Sequence, residues 1–432
     1  MKSLRLLLLA LSLVITADGQ QRPVYQGQGP TVAVETTSRP IEKQTRSVQT
    51  FSNGAVSFSN DFDGSRMNAV TMDGPSSFTV TITPENTPVN PSPWYAFKVR
   101  SRSPQTISVR LVYPEGVRHR YSPLISDSGT EWKPLDRQFI KEFEKGSADF
   151  GPSAGPKSIE MTLIVGKRWL WVSGQELETS KKVYSWMSSL TKNGRVQIEE
   201  IGKSTEGRSL KMMSFGNLKS KKNIVVISRQ HPPEVTGYFA MQAFVEAMLA
   251  DSQSTRAFLK EWAVFVVPMM NPDGVDGGHW RHNAGGVDLN RDWTVFNQPE
   301  GRAVSAFLSR REAESGGRFY FGIDFHSTWD DIYYPMDRKF QSSAPGLIYE
   351  WLDAIKTSIP GYEPNIRPTE NLDPAIVSRN YFFKSHGMEA IVFEIGDNTS
   401  RDFIRKKGEV GAIELMRLLS MPGKLMTATP AN

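Results

Sequence analysis

The chain has 432 residues, no cysteine, six histidines and a formal net charge of +5. At about 100–200 residues per domain, this length predicts two or three domains. A hydrophobic fraction of 39% with 22% charged residues excludes a wholly disordered chain. The absence of cysteine excludes disulfides, thiolate nucleophiles and zinc–thiolate sites, so any metal must be bound by histidine and carboxylate. No lysine- or arginine-rich run marks a nucleic-acid site, and we expect no nucleic-acid partner.

Residues 1–19 have the pattern of a secretory signal peptide. Two cations precede an apolar run at 6–15, and small residues follow at 17 and 19, the positions expected before a cleavage site. The apolar run is shorter than the roughly 20 residues that a membrane-spanning helix needs, and we find no better candidate elsewhere. We therefore expect a secreted or periplasmic protein without a membrane span.

Residues 20–45 are rich in Gln, Pro, Thr and Gly and are predicted to be a flexible linker. Residues 46–178 are predicted to form an all-β sandwich domain, because runs with β-branched and aromatic residues alternate with turns rich in Pro, Gly and Asn. We find no chemical constellation in this domain, and its single histidine, His119, is predicted to lie on the surface. The predicted strands are Ser77–Ile82, Trp94–Val99, Ile107–Val112 and Ile159–Val165.

From residue 179 to about 425 helical patterns alternate with short apolar runs, which indicates an α/β domain. We expect a mixed, largely parallel sheet flanked by helices. The predicted helices are Lys181–Thr191 and the amphipathic Tyr238–Ala250, and the predicted strands are Ile224–Ile227, Ala263–Val267, Phe319–Phe325 and Ala390–Phe393.

Two short motifs at predicted strand ends supply candidate metal ligands. His231 and Glu234 follow the first strand of the α/β domain, and His326 ends a later strand. Ligands bind at the carboxyl ends of strands in such sheets, and a close pair with one distant ligand leaves the open coordination position of a catalytic zinc. Histidine with carboxylate suits zinc better than magnesium or calcium. Taken singly, each motif also fits a solvated loop or a structural histidine.

Two further motifs supply charged groups. Arg281 and the pair Asn290–Arg291 are suited to binding anionic groups, because a guanidinium can hold a carboxylate with two hydrogen bonds. Alone, they also fit a surface network of Arg and Asp. Glu394 ends an apolar strand, where a carboxylate is costly unless it is paired or functional. Glu394 could serve as a general base, or its carboxylate could point into the solvent at the strand end.

Together, these motifs resemble those of the zinc carboxypeptidases of the carboxypeptidase A clan, peptidase M14. The resemblance rests on HPPE, R-x8-NR, the later histidine and FE in this order, and on IGKSTEGRSL and NPDG; it covers about residues 180–420. The preceding segments FDGSRMN and PENTPVNPSPWYAFKV are similar to the N-terminal sandwich domain of the cytosolic carboxypeptidase subfamily. The order of the motifs is far more specific than any one of them.

The resemblance implies one zinc ion per catalytic domain and a role for each matching residue. His231, Glu234 and His326 would bind the zinc, and Asp288 would orient the first histidine. Glu394 would take a proton from zinc-bound water and pass it to the leaving amine.

The same resemblance implies groups that contact the substrate, a peptide or protein C-terminus. Arg281 would polarise the scissile carbonyl, and Asn290 with Arg291 would bind the terminal carboxylate. Arg379 would line the side-chain pocket and favour acidic C-terminal residues; a surface arginine paired elsewhere is the alternative. Tyr381 is our candidate for the tyrosine that covers the substrate, with Tyr333 and Tyr334 as others.

The sequence therefore favours an exported zinc metallocarboxypeptidase. One alternative is a zinc amidase or carboxypeptidase acting on murein peptides, and another is a catalytically inactive binding protein. The intact Glu394 argues against inactivity, because loss of the base would mark an inactive member. The sequence carries no signal for an oligomeric state.

Overall fold

A computed structural model describes residues 31–51, 55–148, 151 and 153–426. The predicted signal peptide lies outside these residues. The described chain forms two β-sheets in its first part and a third sheet with helices in its second part. Among all the residues that the structure describes, no helix is long and apolar enough to cross a membrane.

The first two sheets form a β-sandwich. One has six strands in the order β1-β2-β5-β11-β7-β8, and the other has five in the order β3-β4-β6-β10-β9. Neighbours are antiparallel except for β4 and β6, which are parallel. The strands are β1 (Val48–Phe51), β2 (Val56–Ser59), β3 (Ala69–Gly74), β4 (Ser77–Thr81), β5 (Ala96–Ser101), β6 (Gln105–Val112), β7 (Leu124–Ser126), β8 (Lys133–Pro134), β9 (Ile140–Phe143), β10 (Ser158–Val165) and β11 (Leu170–Ser173).

Alternating side chains hold the sandwich together. In β6, Ile107, Val109 and Leu111 are buried, whereas the residues between them are partly exposed. Successive side chains of a strand point to opposite faces, so this alternation gives each sheet one apolar face. His119 is a correction to the sequence analysis: it is buried, 7% exposed, with Nδ1 2.7 Å from the hydroxyl of Tyr113. Burial lowers the pKa of His119 to about 3.

The third sheet has seven strands in the order β12-β13-β15-β14-β16-β18-β17. The four neighbours β15, β14, β16 and β18 are parallel, and the outer strands pair antiparallel. The sheet is therefore mixed, with the parallel strands at its centre. The strands are β12 (Val196–Lys203), β13 (Ser209–Gly216), β14 (Lys222–Ser228), β15 (Trp262–Val267), β16 (Arg318–Thr328), β17 (Ile332–Pro335) and β18 (Glu389–Gly396).

Helices cover both faces of this sheet. Residues of α2, α6 and α8 pack on one face, and residues of α5 and α7 pack on the other. The helix α2 is buried on almost every side, so the amphipathic pattern predicted for it is wrong. The helices are α1 (Ser180–Leu190), α2 (Val235–Met248), α3 (Gln253–Glu261), α4 (Pro272–Gly277), α5 (Pro299–Ser315), α6 (Leu347–Ser358), α7 (Ser378–His386) and α8 (Arg401–Leu419).

The predicted linker is described from residue 31 onward and has no helix or strand between 31 and 45. This segment lies against the α/β region. The Thr36 hydroxyl donates to Asp292 at 2.6 Å, and the Arg39 amide donates to the carbonyl of Gly285 at 2.7 Å. The sandwich strands end at Ser173 and α1 begins at Ser180. The domain boundaries stay predictions.

The first turn of α2 packs directly on β16 through Gly237. A Cβ at Gly237 would lie 2.3 Å from the carbonyl oxygen of His326, a backbone atom that cannot move aside. We expect Gly237→Ala to lower the free energy of unfolding by about 1–3 kcal/mol, the usual cost of overpacking. Chemical denaturation measures this. Gly301→Ala is the control, since its Cβ meets only a side chain of Phe296 at 3.3 Å; an equal loss there would contradict the account.

Candidate metal centre

The predicted ligands meet at one edge of the third sheet because neighbouring parallel strands end there. His231 follows β14, and His326 lies near the end of β16, which pairs with β14. On the next strand, β18, Glu394 is the register partner of His326. Glu234 immediately precedes α2, at the N-cap position. The strand order therefore brings together side chains that are far apart in the sequence.

His231, Glu234 and His326 form a compact, buried cluster. Their ligand atoms all lie within 4.8 Å of one another. Glu234 Oε1 is 2.8 Å from His231 Nδ1, and its Oε2 is 2.7 Å from His326 Nδ1. Burial would raise the pKa of Glu234, but the two histidines outweigh it and the pKa is lowered. Glu234 is therefore a carboxylate, ready to bind a cation.

Each histidine has a second carboxylate on its other ring nitrogen. Asp288 Oδ1 lies 2.8 Å from His231 Nε2, and Asp324 Oδ2 lies 2.8 Å from His326 Nε2. A carboxylate on Nε2 fixes the ring and its tautomer and leaves Nδ1 as the metal-binding atom. Two histidines and one glutamate, buried and oriented in this way, fit a catalytic zinc ion with an open coordination position.

Asp324 is missing from the predicted residues. It is fully buried, and its Oδ2 also accepts hydrogen bonds from Gln230 Nε2 and Ser378 Oγ, each at 2.5 Å. A signal for it exists in the sequence, because Asp324 precedes His326 by two residues in one strand. Residues so spaced share a face of the sheet.

Two arginines surround Asp288. Arg281 Nε donates to Asp288 Oδ2 at 2.7 Å, and Arg291 Nη1 lies 3.9 Å from the same oxygen. Arg291 also donates to the backbone oxygen of Asn290 at 2.7 Å, and its side chain is 26% exposed. Burial lowers the pKa of Arg291, and Asp288 opposes that effect. Arg291 is thus fixed by the Asn290 carbonyl and by Asp288, while part of its side chain remains exposed to solvent.

Asn290 is placed inside the cluster. Its Oδ1 accepts a hydrogen bond from the amide of Ser378 at 2.9 Å, and its Nδ2 lies 3.4 Å from His326 Nε2. The side-chain oxygen is therefore engaged by α7, and contact with a substrate is left to the Nδ2 donor.

Glu394 Oε2 is buried and has no hydrogen-bond partner in the described part of the chain. The same holds for Asp324 Oδ1, but Asp324 is held by three groups on its Oδ2, from Gln230, His326 and Ser378. Burial raises the pKa of Glu394 to about 7, with a further contribution from Glu234, while His326 and His231 act in the opposite direction. An unengaged carboxylate with a pKa near neutrality is suited to accept and return a proton.

Arg379 lies on α7 at the same edge of the sheet. It is 4% exposed, and its guanidinium carbon is 5.3 Å from the centre of the Tyr334 ring. Burial lowers the pKa of Arg379 to about 10; Tyr334 opposes this and Arg291 adds to it. The structure thus brings Arg379 and Tyr334 to the cluster.

The structure does not bring the other two tyrosines to it. The Tyr381 hydroxyl lies 2.8 Å from Ser305 Oγ and 3.2 Å from His386 Nε2, on the side of α7 that packs against α5. The ring of Tyr333 stacks on Phe393 at 4.0 Å in the hydrophobic core. Of the three candidates for a substrate-covering tyrosine, Tyr334 is therefore the one placed beside a residue of the site.

Comparisons with known proteins agree with this geometry. The family model described as zinc carboxypeptidase, Peptidase_M14, matches residues 183–359. An uncharacterised protein of Zymomonas mobilis is 26% identical over 255 residues, which cover 55% of this chain and 60% of that protein. Cytosolic carboxypeptidase 6 of Mus musculus is 31% identical over 142 residues, which cover 30% of this chain and 26% of that protein. The matches thus span less than two thirds of these relatives.

The fold is also found among solved structures. A carboxypeptidase A homologue from Shewanella denitrificans matches with a TM-score of 0.68 and 18% identity, over 83% of this chain and 97% of that chain. A metallo-carboxypeptidase from Burkholderia cenocepacia matches with a TM-score of 0.67 and 18% identity, over 84% and 99%. Both matches extend over most of the present chain, well beyond residues 183–359.

We expect Asp324→Asn to weaken zinc affinity by about 10- to 100-fold, because Nε2 of His326 would lose its carboxylate partner. Competition with a chromogenic chelator measures the affinity without any need for activity. Asp292→Asn is the matched control, since Asp292 is equally buried but bonds to Thr36 and to backbone amides. Unchanged affinity in Asp324→Asn would contradict the role assigned to Asp324.

Proposed function

Because the chain carries a zinc carboxypeptidase domain, matched over residues 183–359, we propose that this protein is a zinc-dependent metallocarboxypeptidase that removes the C-terminal amino acid from peptides or proteins. One observation carries the proposal. Glu394, with its unengaged buried oxygen, is the register partner of His326 and so lies beside the predicted metal ligands. A site that only bound zinc for structure would not need such a group.

The proposed chemistry divides between the metal and the chain. A zinc ion held by His231, Glu234 and His326 would polarise the scissile carbonyl and lower the pKa of an attacking water. Glu394 accepts the proton that this water loses. The same carboxyl group then returns the proton to the leaving amine, which restores the starting state of Glu394.

The arginines supply charge and register. Arg281, fixed by Asp288, stabilises negative charge that develops on the carbonyl oxygen. Arg291 binds the terminal carboxylate of the substrate. The backbone oxygen of Asn290 holds Arg291 in place by accepting a hydrogen bond from the Nη1 of that arginine. Binding the terminal carboxylate at a fixed distance from the catalytic groups places the last peptide bond for cleavage.

We expect Glu394→Gln to lower kcat by about 10²- to 10⁴-fold, because glutamine cannot accept the proton. Mass spectrometry of peptides losing one C-terminal residue gives the rate, and a chelator should abolish it. Glu389→Gln is the control: it changes the same residue type at the other end of β18, where Glu389 accepts a hydrogen bond from Ser342. Internal cleavage, or equal activity of both variants, would sink the proposal. Cleavage confined to γ-linked or D-amino acid peptides would favour murein substrates.

We further propose that acidic C-terminal residues are preferred. Two positive side chains, Arg379 and Arg291, lie near each other at the site, and Arg379 is buried beside Tyr334. A partly desolvated guanidinium binds a substrate carboxylate more strongly than it would in water. Arg291 would bind the terminal carboxylate, and Arg379 would bind a side-chain carboxylate.

We expect Arg379→Glu to invert the ratio of kcat/KM for acidic over basic C-terminal residues, and Arg379→Met to abolish the preference with less risk to folding. Arg338→Glu is the control, because Arg338 also lies over a tyrosine ring, that of Tyr349, but is exposed. A preference unchanged in both Arg379 variants would remove Arg379 from the specificity pocket.

We also propose that the protein is exported to the periplasm or secreted. The support is the signal-like pattern of residues 1–19, which precede the described part of the chain. Its substrates would then be peptides outside the cytoplasm.

A further inference from the structure

The loop that carries Arg281 is held by the β-sandwich as well as by its own domain. This loop, Gly278–Gly286, follows α4. The indole of Trp280 is fully buried in the hydrophobic core of the sandwich, and its Nε1 donates to the carbonyl of Trp94 at 3.2 Å. Thus the residue next to Arg281 packs in the other domain.

Each end of the loop has a glycine whose backbone packs directly against the N-terminal part of the chain. A Cβ at Gly278 would lie 1.9 Å from the carbonyl oxygen of Ser65, and one at Gly286 would lie 2.5 Å from that of Arg39. Both glycines also have positive φ, which L side chains rarely adopt. The loop is therefore fixed at its two ends against the N-terminal part of the chain.

Glu85 binds the middle of the loop. Its Oε2 accepts a hydrogen bond from the amide of Trp280 at 2.7 Å, and its Oε1 accepts from the amides of Arg281 at 3.0 Å and His282 at 2.6 Å. The side chain is fully buried, and Arg66 of the sandwich lies 3.7 Å away. One carboxylate thus takes three successive backbone donors around Arg281.

Glu85 is ionised at this position, and its neighbour Asn86 also binds the loop. Burial would raise the pKa of Glu85, but His279 and Arg66 outweigh it and the pKa is lowered, so the group is ionised. The neighbouring Asn86 adds a second tie, with Oδ1 2.6 Å from His282 Nδ1 and Nδ2 donating to the carbonyl of Gly286 at 3.0 Å.

We propose that Glu85 is a positioning residue for catalysis: it holds the amides of residues 280–282 and thereby fixes the backbone from which Arg281 reaches the scissile carbonyl. The side chain of Arg281 is fixed independently by Asp288, so the two anchors together set the direction of the guanidinium. The β-sandwich then supports the active site through the loop that carries Arg281. This inference rests on the proposed function of Arg281.

The test is a double-mutant cycle in the full-length, zinc-loaded protein. Glu85→Gln keeps the shape of the side chain but replaces one acceptor oxygen with an NH₂ group, which cannot accept from a loop amide. We expect kcat to fall at least tenfold while KM changes less than threefold. In an Arg281→Ala background the same substitution should change kcat less than twofold, because there is no guanidinium left to misplace.

Hydrogen–deuterium exchange supplies a readout that does not depend on activity. The amides of residues 280–282 should exchange faster in Glu85→Gln than in the wild type, while the amides of the sandwich strands exchange at unchanged rates. Glu176→Gln is the control, because Glu176 also joins the N-terminal domain to the α/β domain, by accepting a hydrogen bond from Arg401 at 2.8 Å. Within the described residues it forms no hydrogen bond with the loop. It should change neither the rate nor the exchange of the loop.

Asn86→Ala is the second variant, for the case that Glu85→Gln fails to fold. It removes the ties to His282 and Gly286 at a half-buried position, and we expect a fall in kcat of about three- to tenfold with faster exchange of the loop.

Two outcomes would overturn the role of Glu85 and leave the proposed function standing: an equal loss of kcat from Glu85→Gln with and without Arg281, or full activity in both Glu85→Gln and Asn86→Ala. A wild-type protein with no peptidase activity would overturn the proposed function and this inference together.

Discussion

The register between β16 and β18 is the constraint on which the site depends. It places His326 beside Glu394, so the third predicted metal ligand and the proposed base occupy adjacent strands at the same height. A slip of one residue would turn one of the two side chains to the opposite face of the sheet. The pairing of β14 with β16 then delivers His231 and Glu234 to the same edge, since both follow the end of β14. The apolar side chains on both faces hold this register.

A second feature of the site is the pairing of buried charges. Each histidine of the cluster lies between two carboxylates, and Asp288 also holds Arg281. Buried charges are costly unless they are matched by opposite charges or hydrogen bonds. Glu85 follows the same rule at the border of the two domains, where three amides and a nearby arginine stabilise it. Within the described part of the chain, Glu394 Oε2 lacks a hydrogen-bond partner, and Glu394 lies beside His326 on the adjacent strand. Together these two observations are the reason for assigning the chemical step to Glu394.

The sequence contained enough information for the fold class and for the residues of the cluster that stand in recognisable motifs. Periodicity predicted the sandwich and the parallel strands, because apolar side chains alternate in the first and run continuously in the second. The sequence did not predict which side chains of α7 face the site. Arg379 and Tyr381 are two positions apart on α7 and therefore point in different directions, one to the site and the other to α5. Glu85 was also beyond reach, because its contacts join segments some two hundred residues apart.

We propose that His231, Glu234 and His326 hold a zinc ion through both Nδ1 atoms and the glutamate. The most direct measurement is anomalous diffraction at the zinc edge from crystals of the zinc-loaded protein. The account predicts one strong peak, about 2.0–2.2 Å from each Nδ1 and from a Glu234 oxygen, with Asp288 and Asp324 still on the Nε2 atoms. A zinc ion bound through Nε2, or a peak at other residues with none between these three, would contradict it.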